Sequence, residues 1–228
     1  GACGVQLAPL VQAMRIALLA HTVLHADETP VAMLKAAGQS DGKTHRAYLW
    51  SYCTTSFTQP QIVVFDFAQS RAGHHARNFL GTSDPAGWRG TLICDDYAGY
   101  KACFDNVDII EAGCMAHARR KFHELWVNHQ SPTGETALKF FAQLYSVERD
   151  AQALTPEARG RMRQAQSHPI ANALHQWLIT QRAKIPDGSA TARAIDYSLK
   201  RWGALTRYID NGHIPIDNNW VQNQLRPI

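Results

Sequence analysis

Residues 90–100, GTLICDDYAGY, constrain this chain most. Three apolar residues, Leu92, Ile93 and Cys94, run straight into Asp95 and Asp96, and the turn signal Ala98-Gly99 comes at once after them. An apolar run that short, closed by Gly, reads as a buried strand more readily than as a helix. A carboxylate at the carboxyl end of such a strand sits at the rim of a sheet, where open α/β folds bind ligands. On this stretch alone, Asp95 and Asp96 serve equally well as caps of a turn. A second segment of the same kind, VLHADETP at 23–30, shifts the balance toward a site.

The rest of the chain supplies a sheet around these two segments. Leu10, Val11, Met14, Leu18 and Leu19 recur at helical spacing, so a leading helix is expected over 7–20, packed on the strands after it. The first strand starts at Val23, and Pro30 should end its regular pairing. A polar loop at 38–44 leads into 46–53, rich in β-favouring aromatics. Residues 61–67, QIVVFDF, read as a strand buried on both faces. A helical pattern over 71–80 precedes the Leu92–Cys94 strand, another strand is expected at 107–111, and Cys114 opens a helix. Three sequential strands are most simply an antiparallel meander, and strands reached through helices are most simply parallel. The expectation is a mixed α/β sheet.

Beyond Ser131 the β pattern stops. Residues 134–152 are helical in spacing. Thr155-Pro156-Glu157 is an N-terminal capping signal, Pro169 starts another helix, and Ser189 caps a further one that carries Ile195, Leu199, Trp202, Leu205 and Tyr208. Asp210-Asn211-Gly212 breaks this block. Ile214 to Asn219 then precede a last helical stretch over 220–225. The expected division is a leading helix at 1–22, a sheet core at 23–130, a helical insertion at 131–212 and a closing core segment at 213–228.

Composition narrows the function classes. The five cysteines are odd in number and scattered without a Cys-x-x-Cys pair, which argues against a disulfide framework or a structural zinc site and suits reduced cytosolic thiols. No apolar run approaches the roughly 18 residues of a membrane span, and no signal peptide is visible. The formal net charge is +4, compatible with a polyanionic partner without demanding one.

Asp27 and Asp95 each come after an apolar strand segment, 95 − 27 = 68 positions apart. On neighbouring strands the two carboxylates converge, and hard oxygen donors there suit Mg²⁺ or Mn²⁺. A two-metal site of that kind clamps the attacking and leaving oxygens of a phosphodiester displacement. A third carboxylate normally completes it.

HADETP, LICDDYAGY, GCMAHARRKF and PIDNNWVQNQLRP resemble segments of the insertion-sequence-66 family of transposases. LWSY, VVFDFAQSRAGHHARNFL, QLYSVE, TPEARGRMRQ and WGALTRYIDNG extend the resemblance over nearly the whole chain. It implies a DDE transposase: an RNase H-like five-stranded mixed sheet flanked by helices, with an all-helical insertion before the third catalytic position. It implies metal-dependent cleavage and strand transfer at transposon ends. DNA is then the partner, as transposon ends and as target, the complete protein is a homo-oligomer, and the location is the bacterial cytoplasm. More protein is expected on both sides, so the chain reads as a catalytic-core piece.

Carried over by resemblance, the first two catalytic acids fall on Asp27 and Asp95. Asp96 stands where the family often has Gly and is not assigned to the metal. The closing motif, DNN and then, after two residues, Glu, reads here Asp217-Asn218-Asn219-Trp220-Val221-Gln222. Gln222 keeps the size and a carbonyl oxygen of Glu but loses its charge, so catalysis is expected to be impaired. Glu28, Asp66 or Asp217 are alternative third acids. The rival reading is a catalytically inactive DNA-binding or regulatory remnant. Arg71, His117, Arg119, Arg120, Lys121, Asn218 and Arg226 are the candidate DNA contacts. For 119–121 the competing reading is a solvated basic turn. For Cys114 and His117 it is a buried thiol and a helix-surface imidazole.

Overall fold

The computed structural model describes residues 2–33 and 44–225, with side chains from residue 4. Arg226 and nearly all of the expected polar loop lie outside the described residues. The chain divides into two compact units: Gly1–Glu111 with Asn218–Ile228, and Ala112–Asp217.

The first unit holds the sheet. Its elements are α1 (Ala2–Leu19), β1 (Val23–Met33), β2 (His45–Thr54), β3 (Val63–Ala68), α2 (His74–Leu80), β4 (Gly90–Ile93), a 3₁₀ turn (Ala98–Cys103), β5 (Ile109–Ala112) and, later in the chain, α9 (Asn219–Leu225). The strand order is β3-β2-β1-β4-β5. β1 and β2 are antiparallel, as are β2 and β3, whereas β1 and β4 are parallel. The meander and the crossover expected from strand spacing are both present, and the mixed sheet with flanking helices is consistent with an RNase H-like fold.

Strand alternation sorts the sheet into two faces. Leu24, Ala26, Trp50, Tyr52, Val64, Leu92 and Cys94 form a core with Leu18 of α1, Ala76, Phe79 and Leu80 of α2, and Tyr100 of the 3₁₀ turn. The Tyr52 and Phe79 rings stack with centroids 3.7 Å apart. Fully burying each such ring contributes about 1.5–3 kcal/mol. His25, Asp27, Ser51 and Cys53 occupy the opposite face, since His25 pairs with Cys53 and Asp27 with Ser51. Gly90 opens β4 at φ +150°, and a Cβ there would collide with the Thr22 carbonyl. The backbone conformation and the close approach both require glycine.

Three expectations are corrected. β1 runs through Pro30, which pairs with Tyr48. Pairing to β4 covers only Val23 to His25, so Pro30 has an open flank where no ladder N–H is needed. β3 is an edge strand with Phe67 51% exposed, not a strand buried on both faces. In α1 the fully buried apolar contact is in the last turn: Leu18 is buried, whereas Val5, Leu7, Leu10, Val11 and Ile16 are exposed. Its apolar residues are spread around the helix rather than gathered into one stripe.

The second unit is helical. It contains α3 (Met115–His129), α4 (Pro132–Ala151), α5 (Pro156–Met162), a π-helical stretch (Arg163–Ser167), α6 (His168–Arg182), α7 (Ala190–Lys200) and α8 (Trp202–Asp210). Thr155 and Ser189 cap α5 and α7 as their sequence signals imply, each accepting from the backbone N–H three residues on. The single helix expected after Ser189 is two, divided at Arg201. Arg163 is buried, ion-paired to Glu148, and donates to the carbonyls of Tyr208, Asn211 and Ile214. Arg159 donates to the carbonyls of Ala151, Leu154 and Gly212, among others. The two arginines thereby add donors to carbonyls at helix ends and in the loops after them.

Candidate active site

The parallel register places two acids side by side. Val23 pairs with Thr91, Leu24 with Leu92 and His25 with Ile93, an offset of 91 − 23 = 68. Asp27 and Asp95 are separated by the same 68 positions, so the register carried two residues further sets them opposite one another on one face. Adjacent strands lie about 4.8 Å apart. β4 ends at Ile93, and Asp95 is fixed just beyond it by accepting from the Tyr97 N–H at 2.9 Å. Asp27 itself stands mid-strand, at the level where β4 has ended, rather than at the end of β1.

α9 reaches the same face from the far end of the chain. The Gln222 side chain comes close enough to the Asp27 carboxylate to favour its charged form. The Asp27 carboxyl is pushed up to about 7, first by burial and then by the charges of Glu28 and Asp95, against the effect of Gln222. Burial also holds the neighbouring Cys53 thiol up, at about 12.

Glu28 is next in sequence and therefore on the opposite face. Its buried carboxylate accepts from Tyr100 Oη at 2.6 Å and from Arg71 Nε at 2.8 Å. Burial raises the Glu28 carboxyl, opposed by these two donors. The Arg71 guanidinium lies 3.7 Å from the centroid of the Tyr97 ring, and the Tyr97 hydroxyl donates to the Arg71 carbonyl. The Arg71 side chain stays 43% exposed. A cation is thus fixed beside the acids with open surface in front of it.

The alternative third acids have partners of their own. Both Glu28 oxygens are engaged on the other face. Asp66 pairs with Trp50, and Trp50 with Glu28, so it shares that other face two strands away. Asp217 belongs to the helical unit, where Tyr145 Oη donates to it at 2.6 Å. Asp96 forms an ion pair with Lys101 at 2.8 Å.

The donor set tests the fit to a divalent ion. Asp27 and Asp95 offer hard anionic oxygens and Gln222 a neutral one. This suits one Mg²⁺ or Mn²⁺ and is one charge short of a full three-carboxylate set. Among the described residues, no group of three or more His, Cys, Asp or Glu side chains is arranged to hold a metal ion.

A sequence model of the family described as "Transposase IS66 family" matches residues 1–228. The chain belongs to the IS66 transposase family. Its relatives include three uncharacterized proteins of Sinorhizobium fredii (strain NBRC 101917 / NGR234). y4hP is 29% identical over 97% of this chain and 42% of its own length. y4qI is 31% identical over 89% and 38%, and y4jD 30% identical over 74% and 33%. This IS66-family chain therefore spans about two fifths or less of the length of these relatives.

The remaining candidate DNA contacts fall in different places. His117, Arg119, Arg120 and Lys121 lie on α3, in the helical unit. Arg119 and Arg120 are exposed, and Lys121 Nζ sits 4.5 Å from the Tyr197 ring centroid. Cys114, which precedes α3, is buried. Asn218, expected at the DNA, is fully buried: its Oδ1 faces His25 Nδ1 at 2.7 Å and its Nδ2 donates to the Ala26 carbonyl at 2.8 Å. It has no surface to offer a phosphate. Sequence reasoning missed His25, Tyr97, Tyr100 and Trp220 as parts of this region. The two tyrosines were visible in the DDYAGY run, but their tie to Arg71 and Glu28 is long-range.

Among the described residues no helix is long and apolar enough to cross a membrane.

Proposed function

We propose that this chain is the catalytic core of a DNA transposase, with Asp27 and Asp95 as the metal-binding carboxylates and position 222 as the third member of the site. The carrying observation is the shared offset of 68 between the β1–β4 register and the two acids, with Gln222 beside Asp27.

The reaction is a pair of phosphodiester displacements. Water attacks phosphorus at the transposon end; the new P–O bond forms as the bond to the 3′ oxygen breaks, and that oxygen leaves as a 3′-hydroxyl. The hydroxyl then attacks phosphorus in target DNA and displaces a second 3′ oxygen. Asp27 and Asp95 would hold Mg²⁺ or Mn²⁺, which would supply charge neutralisation at phosphorus and activation of the attacking oxygen. Arg71, rigidly held by Glu28 and Tyr97, offers its exposed edge to a neighbouring phosphate. Arg119, Arg120 and Lys121 add backbone affinity without sequence choice. Transposon ends and target DNA are the substrates. The complete protein acts in the cytoplasm as a homo-oligomer.

Gln222 makes the site one negative charge short, and strand cleavage is correspondingly weak. The same residue supports a second reading, a DNA-binding remnant without catalysis. Nicking of supercoiled DNA in Mn²⁺ separates them. The core reading expects Gln222→Glu to raise nicking strongly and Asp27→Ala or Asp95→Ala to abolish it. DNA binding with no nicking by Gln222→Glu favours the remnant.

A further inference from the structure

The short helix that carries position 222 has little of its own to hold it in place. α9 is seven residues long, well below the roughly 12–15 residues at which an isolated helix becomes marginal in water. Its placement must come from tertiary contacts. Val221 is its fully buried apolar residue, with Trp220 and Leu225 half-buried beside it.

Two polar side chains tie this segment to the sheet. Asn218 immediately precedes α9 and is fully buried. Its Nδ2 donates to the Ala26 carbonyl at 2.8 Å, just past His25, the last β1 residue paired with β4. A carbonyl accepts only, so the amide orientation is determined: Oδ1 must face His25. His25 Nδ1 lies 2.7 Å from that oxygen and therefore carries the proton. Among the described residues His25 Nε2 is buried with no partner, so the ring's polar contact there is this one. Further along, Trp220 Nε1 donates to the Thr54 carbonyl at the end of β2 at 3.0 Å. His25 and Ala26 are the two residues before Asp27, and Asn218 is the residue from which α9 starts, four positions before Gln222.

We propose that Asn218 is a positioning residue: by clasping His25 and Ala26 of β1 it sets where the side chain at 222 stands against Asp27. The inference rests on reading position 222 as the third member of the site. Asn218 touches neither substrate nor the reacting atoms. Its role is to fix the start of α9 against β1 next to Asp27, while Trp220 holds the helix to β2.

The test uses the whole chain and two variants that break the clasp from opposite sides. Asn218→Ala removes the amide. His25→Phe keeps an aromatic ring while removing the Nδ1–H together with Nε2, and gives a second route to the test where the first variant folds poorly. Amide hydrogen exchange in EDTA is read over 219–225. Mn²⁺ affinity is measured with Gln and with Glu at 222 in each background. The expected result is exchange about tenfold faster over α9, the loss of roughly one hydrogen bond's worth of protection, with β1 and β4 unchanged. The gain in Mn²⁺ affinity from Gln222→Glu should shrink by a similar factor. Unchanged exchange over α9 overturns the proposal. Faster exchange with the Mn²⁺ gain intact makes Asn218 merely structural and also overturns it. Where Gln222→Glu gives no gain even with Asn218 and His25 intact, the reading of position 222 fails by itself, and exchange alone judges the clasp: faster supports it, unchanged refutes it.

Discussion

Replacing Asp27 by Asn is expected to stabilise the metal-free protein above neutral pH while destroying its ion site. The Asp27 carboxyl moves from 3.8 in the unfolded chain to about 7 in the fold. At about 1.4 kcal/mol per pH unit, this disfavours the folded carboxylate by roughly 4 kcal/mol once the pH is well above 7. Solvent at the partly exposed carboxyl and the amide's own need for partners reduce the gain from Asn to about 2 kcal/mol. The sign comes from proton binding. Between 3.8 and about 7 the folded state holds a proton that the unfolded state has released. This contribution to stability is complete below the lower value and is lost as pH rises through the upper one. Asn is indifferent to pH, so its advantage is largest at pH 8 and falls to less than half at pH 5. The assay is urea unfolding in EDTA at both pH values, repeated with Mn²⁺, which should stabilise the parent and not the variant. A variant less stable than the parent at pH 8, or an advantage equal at both pH values, rules out a buried, proton-holding Asp27.

The same carboxyl makes ion binding pH-dependent, because the ion must displace its proton. Mn²⁺ affinity should fall about tenfold per pH unit below about pH 7 and level off above it, as read by calorimetry from pH 5.5 to 8.5. Arg71→Ala strands the Glu28 carboxylate, whose side chain is 1% exposed, with Tyr100 as its remaining donor. It should cost about 2 kcal/mol in urea unfolding, the half-exposed arginine placing it below the usual 3–5 kcal/mol for a broken buried pair. Arg163→Ala removes the ion-pair partner of Glu148 and a donor from the carbonyls of Tyr208, Asn211 and Ile214 inside the helical unit. It should cost about 3–5 kcal/mol, seen as early melting of helical circular dichroism.

Much of the sheet was legible because its signals are local. Short apolar runs ending in acids located β1 and β4, and the caps at Thr155 and Ser189 located helix starts to within a residue. The equality of the Asp27–Asp95 spacing with the strand offset was present in the numbering, but only the register gives it meaning. What escaped was decided by neighbours distant in sequence. Pro30 is tolerated because β4 stops short of it. Phe67 is exposed because β3 is an edge. Arg159 and Arg163 look like surface cations on a basic helix and are instead buried against backbone carbonyls. Asn218 looks like a surface amide in a polar run, yet its partners His25 and Ala26 lie over 190 residues away. No local pattern encodes that pairing.

All of the proposed chemistry depends on Asp27, Asp95 and position 222 forming one ion site. Mn²⁺ calorimetry on the parent and on Gln222→Glu, each with and without Asp27→Ala or Asp95→Ala, decides the matter. Binding should be tighter with Glu than with Gln at position 222, and should be lost in both backgrounds when either aspartate is removed. Equal affinity with Gln and Glu at that position, or binding indifferent to Asp27 and Asp95, contradicts a shared site.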